Sequence, residues 1–371
     1  MTRGSDILVI GAGIVGCAIA SELARRGAAV ALLDARAPGD GATQASGGML
    51  APYTEAAEGG PLLALCARGL GLFDAFVQDV EETSGLKTGY ERGGTLHVAR
   101  DGTTLPHLDA MHQTLTAMGV PCDRLGAGST RRQEPNLGAD IRGGLLLPTE
   151  GWVSAPAFTA ALRAAAGVRG TVLLERATAQ RIAASADGVV VHTDQGELHA
   201  RQVVLANGAW AGQVAVDGAD AIPVKPVRGQ LLHLGWRGIQ LSRITWDEQC
   251  YLVPWRDGTL LVGATVEDAG FEERTTVDGV RTLLDAVTAL VPEARNATLL
   301  SSRSGLRPGS PDGLPVIGWS TAVPGLMYAT GHYRNGVLLS PLTAQLVANA
   351  LLDGTVDSDL ELTRPGRFGT L

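Results

Sequence analysis

Aromatic residues make up only 4% of this 371-residue chain. No run of about 20 apolar residues is present to cross a bilayer as a helix. There are four cysteines, Cys17, Cys66, Cys122 and Cys250, and no pair has CxxC spacing. That excludes a zinc knuckle and a thioredoxin-like dithiol. Few, scattered cysteines fit a reducing compartment. The seven histidines form no HxH or HxxxH pair, so no metal site is expected. The formal charge of -8 gives no support for a nucleic-acid or acidic-membrane surface. The apolar stretch 7–20 is interrupted by Gly11, Gly13 and Gly16, and no cleavage site with the right flanks follows it. These absences lead us to expect a soluble, cytoplasmic protein that binds neither nucleic acid nor membrane.

What is abundant is apolar residues, 45%, and glycine, 49 residues. The first allows a large core and the second many tight turns, a combination suited to an α/β protein. The length suggests two or three lobes.

Residues 6–10, DILVI, read as a buried parallel strand. GAGIVG follows from Gly11 to Gly16, then a helical stretch closed by Gly27, then AVALLD ending at Asp34. In this arrangement Gly11 permits the tight turn, Gly13 admits a pyrophosphate to the backbone, and Gly16 lets helix and strand pack closely. The start of the helix, at Ile14 and Val15, offers N–H groups to the phosphates. Asp34 stands where an acid binds ribose hydroxyls and disfavours a 2′-phosphate, with Ala35 beside it. The fingerprint alone does not separate NAD from FAD.

The next segment does. GDGATQASGGMLAP, residues 39–52, is a long loop of small residues able to lie along a large cofactor. Its Met49, Leu50 and Pro52 are poor linker residues. This loop resembles that of the D-amino-acid oxidase and glycine oxidase family. By that resemblance Ala42, Thr43, Ser46, Gly47, Gly48 and Met49 line the flavin of FAD.

Further along, helices are expected over 61–84, 105–119 and 277–292, and another after the Ser154-Ala155-Pro156 cap. Strands are expected over 90–99 and 203–207, the latter ending in a turn at Gly208 near the cofactor. Ala179, by the resemblance, packs near the adenine. Asp257-Gly258 marks a hairpin in a series of short antiparallel strands.

Three segments carry the chemistry. They are CYLVPW with Tyr251, GLRPG with Arg307, and GHYRNGVLLSP with Arg334. A guanidinium on a rigid turn matches a carboxylate at two points. Taken alone, Arg307 could equally be an ion-pair partner, Tyr251 a core aromatic and Arg334 a brace for its turn. With the fingerprint and the GML loop, these motifs resemble, nearly end to end, the glycine oxidases of the thiamine pathway, within the D-amino-acid oxidase and sarcosine oxidase family of FAD-dependent oxidoreductases.

The resemblance implies that Arg307 holds a substrate carboxylate, with Tyr251 beside it and Arg334 supporting the pocket. It also implies that His332, Tyr333, Arg334, Asn335, Gly336, Val337 and Leu338 contact the flavin. A helix starting at Asn335-Gly336 would aim its N-terminus at the flavin's pyrimidine end and stabilise the anion of the reduced ring. In the alternative, Ser340-Pro341 is the cap and the stretch is a loop. His332 is expected to act through its backbone rather than as a base. Val266 and Arg303, where relatives carry other residues, are expected to border the pocket. No cysteine follows Cys250, so the tether of sarcosine oxidases is missing and FAD is expected to be non-covalent.

The expected fold is mixed α/β and α+β in two lobes. A Rossmann-like FAD-binding lobe comprises 1–85, 143–218 and 305–371. An antiparallel-sheet substrate lobe comprises 86–142 and 219–304. The expected activity is oxidation of glycine, sarcosine or small D-amino acids to the imine or 2-oxo acid, with O₂ reduced to H₂O₂, serving thiazole synthesis. The expected partners are the amine, O₂, thiazole synthase and a second copy of the chain. The rivals are a D-amino-acid or proline dehydrogenase passing electrons to a quinone or partner subunit, and a flavin-bearing tRNA-modification module.

Overall fold

The computed structural model of the chain describes residues 6–55, 60–236, 238 and 241–371. The first strand, Ile7–Ile10, lies inside a six-stranded sheet. It pairs in parallel with Val30–Asp34 on one side and Gln202–Leu205 on the other. Val172–Glu175 and Leu326–Thr330 extend the sheet in parallel, and Val316–Trp319 closes it antiparallel. Side chains alternate across a strand. Ile7 and Val9 therefore enter one core, and Leu8 and Ile10 another. Both faces are covered, which explains why these strands read as unbroken apolar runs.

One face is covered by helices Ile14–Arg25, Pro61–Ser84, Ala155–Val168 and Ser340–Ala348. Ser154 caps the third, its hydroxyl accepting from the Ala157 N–H at 3.4 Å. The helix Pro61–Ser84 is long and apolar enough to resemble a membrane span by length and composition alone, although Arg68 and Asp74 interrupt its apolar run. Its buried face, including Leu65, Phe73 and Val77, packs in this core. A four-stranded sheet of Ala179–Ser185, Gly188–Thr193, Gly196–Ala200 and Ala215–Val216 covers the other face.

The second sheet has eight strands, in the order Thr298–Gly309, Lys225–Gly235, Thr259–Gly263, Tyr251–Pro254, Ile244–Trp246, Thr95–Ala99, Gly143–Leu147 and Asp123–Gly126. All pairs are antiparallel except Ile244–Trp246 with Thr95–Ala99. The Asp257-Gly258 hairpin forms as expected, with Gly258 at φ 84°. Helix Val277–Leu290 packs on this sheet, capped by Thr276. Residues 143–147 and 305–309 hydrogen-bond into this sheet, so its edges fall a few residues from the expected lobe divisions.

One expectation is corrected. No helix starts at Asn335-Gly336. His332 forms a bridge with Gly309, turns follow at 333–334 and 336–339, and the helix begins at Ser340, with Pro341 in its first turn. The fixed φ of Pro341 suits the first turn of a helix, where its missing N–H costs nothing. Leu342 and Leu346 are helical and buried, while Ala350 falls in the following π-turn.

Candidate active site

A cavity of about 540 Å³ opens between the two large sheets. Its floor is the fingerprint. Gly11 turns at φ 106°, where an added Cβ would stand 2.5 Å from the Ala206 carbonyl oxygen. Gly16 has the same constraint against the Gly11 carbonyl and lies outside the cavity, as its packing role requires. Apart from Val266 and Arg303, every other residue expected at the cofactor or substrate lines the cavity.

Thr43 does more than line it. Its hydroxyl accepts from the Ile14 N–H at 3.1 Å, so the GATQA turn caps the fingerprint helix. Asp34 is held by the N–H groups of Ala12, at 2.6 Å, and Arg36, at 2.8 Å. Burial pushes its carboxyl up, against the pull of those two donors.

The Arg307 guanidinium donates from Nη1 to the carbonyls of Thr265, at 3.0 Å, and Arg228, at 3.3 Å. It pairs with no carboxylate among the described residues, so the ion-pair reading of Arg307 finds no partner. The Tyr251 ring lies between two bare backbones. A Cβ on Gly263 would stand 2.2 Å from its Cζ, and one on Gly47 would stand 2.7 Å from its Cε2. Tyr333 donates its N–H to the Pro308 carbonyl at 2.8 Å, which brings the GHYRNG turns beside Arg307.

His332 is buried, its Nε2 3.0 Å from the Thr343 hydroxyl. Burial lowers its pKa to about 4, so the ring is neutral at ordinary pH.

Several functional neighbours were missed by sequence reasoning. Trp246 packs its ring 5.5 Å from Tyr251 and 5.5 Å from the Arg334 guanidinium. Arg36 lies 4.2 Å over the Trp210 ring and pairs with Glu273 at 2.8 Å, at the ribose end of the cavity. Gln44 donates to the Ser304 carbonyl at 2.7 Å and so ties the 39–52 loop to the Arg307 strand. Of the two residues expected at the pocket border, neither lines it. Val266 is 59% exposed, and Arg303 braces the Gln44 carbonyl at 3.2 Å. Both expectations came from sequence adjacency to the site. Arg303 shares the face of Arg307 on strand Thr298–Gly309 but stands four residues, roughly 13 Å, along it, and Val266 lies in the connection after strand Thr259–Gly263.

The walls fit a flat, phosphate-bearing cofactor. An added Cβ at Gly13 would meet nothing closer than the Thr43 hydroxyl at 3.5 Å, and at Gly208 nothing within 4 Å. Bare backbone thus faces the cavity at the fingerprint and at the end of the neighbouring strand Gln202–Leu205. The buried Asn207 Oδ1 in this wall has no protein partner. A dinucleotide would find N–H groups at the helix start and an acid at the ribose position.

Residues 6–350 match the family described as FAD dependent oxidoreductase. The chain is 35% identical to a glycine oxidase of Geobacillus kaustophilus over 94% of its length and 93% of that protein's. It is 36% identical to the bifunctional protein ThiO/ThiG of Synechocystis, matching 100% of this chain and 55% of that one. The crystal structure of the Geobacillus kaustophilus glycine oxidase superposes with a TM-score of 0.94 at 34% identity, covering 98% of each chain. The fold thus has a close counterpart, and the chain belongs to the family of FAD dependent oxidoreductases.

Proposed function

We propose that this protein oxidises glycine, and with it sarcosine and small D-amino acids, using O₂ as acceptor. The observation that carries the reading is Arg307. Its guanidinium has no acidic partner among the described residues, is steadied by two carbonyls, and lines the cavity that the dinucleotide fingerprint opens onto. Such a group takes a carboxylate in two-point fashion.

With the carboxylate held there, the substrate Cα has little freedom left, and positioning supplies much of the rate. Tyr251, wedged between Gly47 and Gly263, walls the same space. FAD, when bound, supplies a two-electron acceptor that O₂ reoxidises with release of H₂O₂. No protein base is required if the amine arrives neutral, which agrees with a buried, neutral His332. The imine product is then open to water or to a partner enzyme. The Synechocystis relative bears the name ThiO/ThiG, and its fused form supports delivery of the imine to a thiazole synthase in the cytoplasm.

The test is H₂O₂ release by the purified holoenzyme with glycine, sarcosine, D-Ala, D-Pro and L-Ala. We expect turnover of glycine and sarcosine, equal or slower turnover of the D-amino acids, and none of L-Ala. Substrate-dependent reduction of a dye without H₂O₂ would instead indicate a dehydrogenase.

A further inference from the structure

Two separate chain segments hold Arg307. The Arg228 carbonyl belongs to strand Lys225–Gly235, and the Thr265 carbonyl to the connection leading to helix Val277–Leu290. Neither carbonyl is fixed by the arginine itself. What joins the two segments is Glu267. Its backbone forms a bridge with Arg228, with N–H to carbonyl distances of 2.9 and 3.0 Å. One carboxylate oxygen accepts from the Arg228 guanidinium, at 2.5 and 3.1 Å. The other accepts from the Thr265 hydroxyl at 2.5 Å and from the Gln230 amide at 2.7 Å.

Gln230 is fully buried and reaches Thr276, the cap of helix Val277–Leu290. Gly279 makes room for it, since a Cβ there would stand 2.4 Å from the Gln230 Nε2. Burial opposes the charge on Glu267, yet the bonds from Thr265, Arg228 and Gln230 outweigh it and hold its carboxyl below the usual value. The carboxylate therefore stays charged at working pH. Its two oxygens reach both segments whose carbonyls steady the anchor.

We infer that Glu267 is a positioning residue for substrate binding. It clamps the Arg228 and Thr265 segments so that their carbonyls present the Arg307 guanidinium to a carboxylate. This rests on the reading of Arg307 as the carboxylate anchor. The neutral amide in Glu267→Gln would place an NH₂ group against the Arg228 guanidinium or the Gln230 amide NH₂, breaking the clamp while keeping its shape.

The experiment is a cycle of four holoenzymes: wild type, Glu267→Gln, Arg307→Ala and the double variant. It reads kcat/KM for glycine, flavin content, and the Kd of glycolate, a carboxylate without the amine, from the flavin absorbance. Residues acting through one another give non-additive effects. We expect Glu267→Gln to cost about tenfold in kcat/KM and in glycolate affinity, with kcat within about threefold and flavin content unchanged. In the Arg307→Ala background the same change should cost less than about twofold. Thr265→Val, which removes one bond to Glu267, should cost about threefold and stands in if Glu267→Gln does not fold. Equal losses in both backgrounds, or no loss in the wild type, would overturn the inference alone. Unchanged glycolate affinity in Arg307→Ala would instead overturn the anchor reading.

Discussion

The Arg307 guanidinium lies across the bare Cα of Gly229. A Cβ at Gly229 would stand 2.2 Å from Nη2 and 2.3 Å from Cζ. The strands pair Val227 with Arg307 and Gly229 with Gly305. Gly229 and Gly305 thus form a notch on the face that carries the arginine. On the other side of that notch a Cβ on Gly305 would stand 2.9 Å from the Ala45 Cβ, so the 39–52 loop closes directly on it.

Gly229→Ala should therefore disable binding without disabling folding. Gly229 is not among the positive-φ residues, so alanine suits its backbone. The atoms it would strike are the far end of a flexible side chain, which can swing away at little cost to stability. Displacing the guanidinium should raise KM for glycine about tenfold or more while flavin content stays at the wild-type level. Steady-state kinetics beside a flavin absorbance spectrum decide it. A variant with wild-type KM would mean that Arg307 finds another productive position.

Removing the anchor itself is the harsher test. Arg307→Ala should lower kcat/KM by roughly 10² to 10³-fold, the loss expected for a two-point charged contact. Its effect on FAD content should be small, because the fingerprint and the Asp34 region lie elsewhere in the cavity. A loss within about threefold would assign Arg307 to structure alone.

Much of this was legible from residue types. The six-stranded sheet announced itself because strands buried on both faces carry no polar interruptions, as Leu8 and Val9 illustrate. The fingerprint was legible because turn, phosphate approach and helix packing each demand glycine at a set spacing. The start of the last helix was not. Asn335-Gly336 and Ser340-Pro341 are both plausible caps, and only the docking of Tyr333 on Pro308 decides between them. Gly229, Gly263 and Trp246 were invisible for another reason. Gly229 meets Arg307 and Trp246 meets Arg334 across long stretches of chain, and Gly263 meets Tyr251 through a hairpin register that no local pattern records. Glu273 meets Arg36 across 237 residues, which no spacing rule anticipates.

That ion pair bears on cofactor retention. Arg36 and Glu273 are each about one-third exposed, with side-chain relative accessibilities of 35% and 33%, so their attraction is partly screened. Together with the Arg36–Trp210 contact it should contribute on the order of 1 kcal/mol. Glu273→Gln should therefore speed FAD release about three- to fivefold, and the gap from wild type should narrow at high ionic strength. Flavin fluorescence on dilution measures it. Identical release rates at low salt would show that the pair does not hold the cofactor in.

The missing tether leads to a simpler expectation. None of the four cysteines lines the cavity. Acid precipitation of the holoenzyme should leave yellow FAD in the supernatant, and flavin remaining in the pellet would contradict this.

The last prediction concerns pH. His332 is fully buried beside Thr343, and burial lowers its pKa from 6.5 to about 4. The unfolded chain therefore binds this proton more readily than the folded one. The neutral ring's contribution is complete above pH 6.5, declines as pH falls through 6.5 toward 4, and has been lost below the folded value. The full loss should be about 3 kcal/mol, since each pH unit between the two values carries roughly 1.4 kcal/mol. Other groups move in this range. Burial raises the Glu150 carboxyl to about 7 and so makes stability fall as pH rises from 4.5. A wild-type curve alone would mix these opposing slopes. The difference between wild type and His332→Gln isolates the imidazole, since glutamine does not titrate. Denaturant unfolding at pH 7.5, 6 and 5 should show the wild type losing ground to the variant at each step down. Catalysis should behave differently. A histidine that stays neutral imposes no inflection on kcat/KM between pH 5.5 and 8, so both proteins should give profiles of the same shape. A wild-type inflection near pH 6.5 that vanishes in the variant would make His332 the base that the buried geometry argues against.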